Sequence, residues 1–126
     1  MFGLNPDQDF GIRVDSPTDV IIQVNLNSTE ANKTAEQLIE EGNKAFLAQN
    51  FHQAIHLYSN AIYKSNKKSH RAFLNRSQCF LKLEKFNAAY QDANEATKLD
   101  TQNEKAYFRM GKSAYALRKF ELALVF

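Results

Sequence analysis

The residues of this sequence with chemistry to offer are His52 and His56, four apart, the lone cysteine Cys79, and a set of amides and cations that recurs along the chain. A histidine pair at i, i+4 on a helix can share a metal ion, but a stable site needs further ligands. No third ligand of matching phase occurs, so the pair reads as surface histidines and no metal is expected. Cys79 lacks the histidine and acid pattern that activates a thiolate. A glycine-rich phosphate loop, a nucleophile elbow and paired catalytic acids are also missing. Neither catalysis nor a cofactor is expected. What remains is recognition of anions. Asn43, Asn75, Lys105 and Arg109, with Arg71, Lys82 and Lys112, supply amide and cationic N–H groups. Such donors make strong charge-assisted hydrogen bonds to carboxylates.

A repeat must position these residues. Aligned on Gly42, Ser77 and Gly111, the chain shows separations of 35 and 34 residues. Leu38, Phe73 and Tyr107 stand four positions earlier, Phe51, Phe86 and Phe120 nine later, and Ala54, Ala89 and Ala123 twelve later. A period near 34 with small residues at fixed offsets implies stacked helical hairpins, an all-α solenoid. Helices are expected over about 30–49, 51–64, 70–83, 86–98 and 104–119, with a further one beginning at Phe120. The apolar stripe Ile55, Tyr58 and Ile62 marks the second of these as amphipathic. The segment ELALVF is an apolar half-helix. Solenoids normally finish on a polar capping helix, so the chain is expected to continue in a longer protein or to bury that end against a partner.

Residues 1–30 stand apart as an N-terminal leader. They hold both prolines, Pro6 and Pro17, and none of the repeat. Ser16-Pro17-Thr18-Asp19 resembles a helix start, yet Val20, Ile22, Val24 and Leu26 alternate as in a strand. Their β-branched content tips the reading toward an extended segment. Residues 31–126 form the repeat domain, with repeats at about 35–68, 69–102 and 103–126, the last truncated. The net charge of +2 gives no bulk attraction to nucleic acid or acidic membrane. No run approaches the ~18 apolar residues of a spanning helix. A single cysteine allows no internal disulfide and suits a reducing, cytoplasmic setting.

Helical phase, about 100° per residue, divides each hairpin's first helix into two faces. One carries Leu38, Phe73 and Tyr107, then Gly42, Ser77 and Gly111, then Ala45, Phe80 and Ala114. This is the packing face, with Glu41 and Arg76 on it expected to reach to the edge. The opposite face lines up across the stack as a groove. It carries Asn43, Asn75, Lys105 and Arg109, with Arg71 and Lys112 in phase and Lys82 nearby. Ile39, Leu74 and Phe108 form an apolar row on another wall. That combination suits a short extended peptide bearing carboxylates and an apolar side chain. Glu36 and Glu40 limit how anionic the ligand can be at the first repeat.

Residues 35–126, through A-E-Q-L-I-E-E-G-N-K-A-F, L-N-R-S-Q-C-F and K-A-Y-F-R-M-G-K, resemble the tetratricopeptide repeat family. The proline usual at each repeat end is replaced by Asn66 and Thr101. More narrowly, G-N-K-A-F, N-R-S and K-A-Y-x-R look like the carboxylate-clamp subgroup, whose members bind the acidic C-terminal tails of the seventy- and ninety-kilodalton heat-shock chaperones. The resemblance implies that Asn43 and Asn75 hold a terminal carboxylate. It also implies that Lys105 pairs with the last acidic side chain, and that Arg109 meets the peptide backbone or another acid. The subgroup's lysine four residues before the first asparagine is Ile39 here. Losing one charge-assisted bond would weaken binding by roughly ten- to a hundredfold. The alternative class is a clamp-independent scaffold that binds a folded protein or a second copy. The weaker likeness of Ala116–Phe120 to repeat proteins that help assemble axonemal dynein arms belongs with that alternative.

Overall fold

In the computed structural model, which describes residues 32–125, the first helix starts at a reciprocal cap. Gln37 N–H donates to Thr34 Oγ1 (3.1 Å) and Thr34 N–H donates to Gln37 Oε1 (2.8 Å), so two otherwise orphaned donors are satisfied. Helix α1 therefore runs Ala35–Leu47, starting later than the expected residue 30. Helix α2 spans Phe51–Lys64, α3 His70–Lys82, α4 Phe86–Leu99 and α5 Glu104–Val125. Ser69 caps α3 by accepting from Ala72 N–H (3.2 Å), and Asn103 caps α5 by accepting from Ala106 N–H (3.1 Å). The expected leader, with its helix-or-strand segment 16–26, lies outside the described residues.

The first two repeats turn in the same way. Gln49 and Glu84, each seven positions beyond the aligned small residue, take left-handed φ values of 64° and 58°. The following N–H groups reach back, Asn50 to the Ala45 carbonyl (2.9 Å) and Lys85 to the Phe80 carbonyl (2.8 Å). This closure satisfies the last carbonyls and reverses the chain without glycine. Helices α2 and α4, which follow, have no side-chain cap of their own.

Consecutive helices pack as antiparallel pairs, and α1, α3 and α5 also touch in sequence, so the first helices of the three repeats share one side of the stack. The core between them holds Leu38, Ile39, Tyr58, Phe73, Phe80 and a series of alanines at Ala54, Ala61, Ala89 and Ala96, all buried. Each large apolar side chain there contributes about 1.5–3 kcal/mol by leaving water. Gly42 lets α2 come close, since a Cβ at that position would lie 2.5 Å from Tyr58 Cε1. Ser77, its counterpart, is also wholly buried and donates to the Ala89 carbonyl at 2.7 Å.

Two expectations are corrected. Arg76 does not reach to an edge. It is 5% exposed and donates from Nε and Nη2 to the Asp92 carboxylate at 2.7 and 2.9 Å, while Nη1 donates to Ser59 Oγ at 3.0 Å. Phe73 and Phe80 flank the guanidinium, each ring centroid under 6 Å away. The group is buried because three helices supply its partners. The second correction concerns the third repeat. No turn separates Lys119 from Phe120, and α5 is one helix of 22 residues. Arg118, at the turn position, stays helical. A left-handed residue there would cost roughly 1–2 kcal/mol, which the continuous helix avoids. The packing-face positions Tyr107, Gly111 and Ala114 are accordingly exposed, unlike their counterparts in α1 and α3.

Candidate peptide-binding groove

Asn43 and Asn75 come from different repeats, and the structure joins them. Asn75 Nδ2 donates to Asn43 Oδ1 at 3.1 Å, and Tyr58 Oη donates to the same oxygen at 2.6 Å. With Oδ1 taking two donors, the Asn43 amide is held in one orientation, and no bond engages its NH2 group among the described residues. Tyr58 is a dependable donor because burial pushes its phenol well above the ordinary range. The nearby Cys79 adds to that shift and the Asn75 amide pulls slightly against it.

Arg109 extends this arrangement to α5. Its Nη1 donates to the Leu74 carbonyl at 3.3 Å, beside Asn75. Burial lowers its pKa, but a guanidinium stays charged in a protein. One of its five donors is occupied by Leu74, which fixes the side chain while others remain for a ligand. Lys105 lies one turn earlier on the same face of α5 and is exposed. Arg71, one turn before Asn75, is exposed, as are Lys82 and Lys112. Asn43, Asn75 and Arg109 are thus tied together across α1, α3 and α5, with Lys105 and Arg71 in phase beside them.

The apolar row divides. Ile39 is 0% and Leu74 7% exposed, so both belong to the core and neither offers an open wall. Phe108, 68% exposed, alone of the three presents its ring to solvent. The stack of neighbouring first helices covers a phase that a single helix leaves open. On α1, Glu36 and Glu40 are exposed, so that end of the surface carries negative charge, whereas Glu41 is neutralised by Lys33 at 2.6 Å.

The other chemical candidates fall elsewhere. His56 Nε2 lies 3.4 Å from Asn60 Nδ2 within α2, and no cluster of three metal-ligating side chains occurs among the described residues. Cys79 is buried, and burial pushes its thiol up to about 12, so it stays protonated at neutral pH. Sequence reasoning missed the role of Tyr58 in orienting Asn43. A signal was present in the pairing of a small residue, Gly42, with a large one sixteen positions later, where the second repeat has Ser77 and Ala93.

No family model matches the chain. It is 38% identical over 84 residues to Heat shock protein STI1 of Saccharomyces cerevisiae, covering 67% of this chain and 14% of that protein. It is 38% identical over 89 residues to Tetratricopeptide repeat protein 12 of Homo sapiens, covering 71% and 12%. It is 36% identical over 97 residues to Small glutamine-rich tetratricopeptide repeat-containing protein 2 of Mycosarcoma maydis, covering 77% and 27%. The chain therefore spans a minor part of each relative's length. With a repeat near 34 residues, stacked helical hairpins and these relatives, the chain belongs to the tetratricopeptide repeat family.

Proposed function

We propose that this domain is a protein-interaction module whose groove captures the C-terminal carboxylate of an acidic peptide, the tail of a heat-shock chaperone being the best-fitting class. The observation that carries the reading is the contact between Asn43 and Asn75, with Tyr58 orienting one amide and Arg109 tethered beside the other. Pre-set donors lower the ordering cost of binding. Asn43 and Asn75 take the terminal carboxylate, Lys105 the last acidic side chain, and Arg109 the backbone or a further acid. Arg71, Lys82 and Lys112 add positive potential around them. The name of the yeast relative as a heat-shock protein supports a chaperone-related partner. Ile39, buried where the clamp subgroup has lysine, leaves the site with four members.

Affinity is expected on the order of micromolar, because an extended peptide must be ordered on binding. Fluorescence anisotropy with a labelled acidic peptide ending in a free carboxylate tests this. Lys105→Ala should weaken binding by about tenfold or more, and added salt should weaken it for the parent chain. Binding indifferent to both would refute the ionic groove.

A further inference from the structure

The bond from Asn75 Nδ2 to Asn43 Oδ1 fixes the register of α1 against α3. Both helices pack antiparallel on α2, so they run in the same direction. One turn back on each therefore brings Ile39 opposite Arg71. Arg109, bonded to the Leu74 carbonyl beside Asn75, sets α5 against α3 in the same way, and the turn before it carries Lys105. The linked row of Asn43, Asn75 and Arg109 thus has a second row beside it, Ile39, Arg71 and Lys105, about 6 Å along the helices.

The second row differs sharply from one helix to the next. Ile39 is 0% exposed and brings no charge. Arg71 and Lys105 are exposed, and no hydrogen bond or ion pair engages either side chain among the described residues. Two like charges at one height on adjacent helices repel, and an anion between them relieves the repulsion. In the first row the two amides are neutral, and Arg109 already has a donor committed to Leu74. A carboxylate leaving water needs a countercharge as well as donors. Helix α1 cannot supply it, since Glu36 and Glu40 are its charged groups at this end of the groove. Arg71, one turn from Asn75 on the same face, is the uncommitted cation beside the amide pair.

We infer that Arg71 binds the terminal carboxylate together with Asn43 and Asn75, which leaves Lys105 for the side chain of the same terminal residue. The inference rests on the peptide reading and narrows its ligand. Two adjacent cations call for two carboxylates on one residue, so the peptide ends in Asp or Glu. The guanidinium can grip the terminal carboxylate through two parallel N–H bonds, a geometry that an ammonium lacks. The negative charge on α1 disfavours a further acid on that side.

Calorimetric titration of the parent chain, Arg71→Ala and Arg71→Lys tests this with three peptides of one acidic sequence. One is unmodified, one has its C-terminus as an amide, and one has only its last acidic side chain as an amide. The parent should prefer the unmodified peptide over the C-terminal amide by about tenfold or more. Arg71→Ala should weaken the unmodified and side-chain-amide peptides by about tenfold or more each, and leave the C-terminal amide nearly unchanged. Arg71→Lys should recover part of the loss. Arg71 is exposed, so the urea midpoint should stay at the parent value. If Arg71→Ala weakens the C-terminal amide as much as the unmodified peptide, or weakens neither, while the parent keeps its preference, the role of Arg71 is overturned and the groove reading stands. A parent without that preference overturns both.

Discussion

The Arg76 guanidinium and the Asp92 carboxylate meet through two N–H bonds of 2.7 and 2.9 Å, with side chains 6% and 0% exposed. The pair links α3 to α4, and the third bond from Arg76 to Ser59 extends it to α2. Removing one partner leaves a buried charge unmatched, which typically costs about 3–5 kcal/mol. Asp92→Asn and Arg76→Met should each lower the urea midpoint by that order of stability. The double change Arg76→Met with Asp92→Leu should recover much of the loss, because a buried ion pair and an apolar replacement are often close in energy. Losses that simply add in the double variant would contradict this.

Gly42 and Gly111 occupy the same repeat position in opposite surroundings. Gly42→Ala would press a methyl into the Tyr58 ring, and overpacking of this kind costs about 1–3 kcal/mol. It should also weaken peptide binding, since Tyr58 orients Asn43. Gly111→Ala meets open space and gains roughly 1 kcal/mol of helix propensity. Thermal melts of the two variants should move in opposite directions.

Spacing alone makes the hairpins readable, because a small residue is needed wherever two helices cross closely. Leu38, Phe73, Gly42, Ser77 and Phe80 all pack as that spacing implies. The start of α1 was also legible in T-A-E-Q, but the good helix formers before Thr34 drew the expected boundary upstream. Arg76 was not legible. Its partner Asp92 has Leu57 as counterpart in the first repeat, so the ion pair does not recur and no periodicity announces it. Ile39 and Leu74 look like groove residues on a helical wheel of one hairpin, and only the stacking of neighbouring repeats buries them. The phase of Asn43, Asn75 and Arg109 was visible, whereas the bonds linking them depend on distances between helices that a sequence does not state.

Gln49 and Glu84 hold left-handed conformations that glycine adopts without steric cost. Gln49→Gly and Glu84→Gly should each stabilise the domain by up to about 1 kcal/mol, the relief at the turn exceeding the added freedom of the unfolded chain. Chemical denaturation checks both. The same change at Arg118, which is helical, should destabilise by a similar amount.

Burial raises the Cys79 thiol from its ordinary value of 9.0 to about 12. The folded state therefore keeps a proton that the unfolded state loses first. Stability is fully present below pH 9 and falls as pH rises from there toward 12. Cys79→Ala should flatten the first part of that alkaline decline, though it costs some packing at all pH values. Denaturation midpoints measured from neutral to alkaline pH would show the two curves converging. Parallel curves would contradict the assignment.

The carboxylate is the centre of the functional account, and calorimetric titration with two acidic peptides of one sequence tests it most directly. One ends in a free carboxylate and the other in an amide. The free acid should bind on the order of micromolar and the amide at least about tenfold more weakly, because Asn43, Asn75 and Arg109 present donors to a charge that only the first peptide carries. Equal affinity for the two, or none for either, would contradict a carboxylate-binding groove.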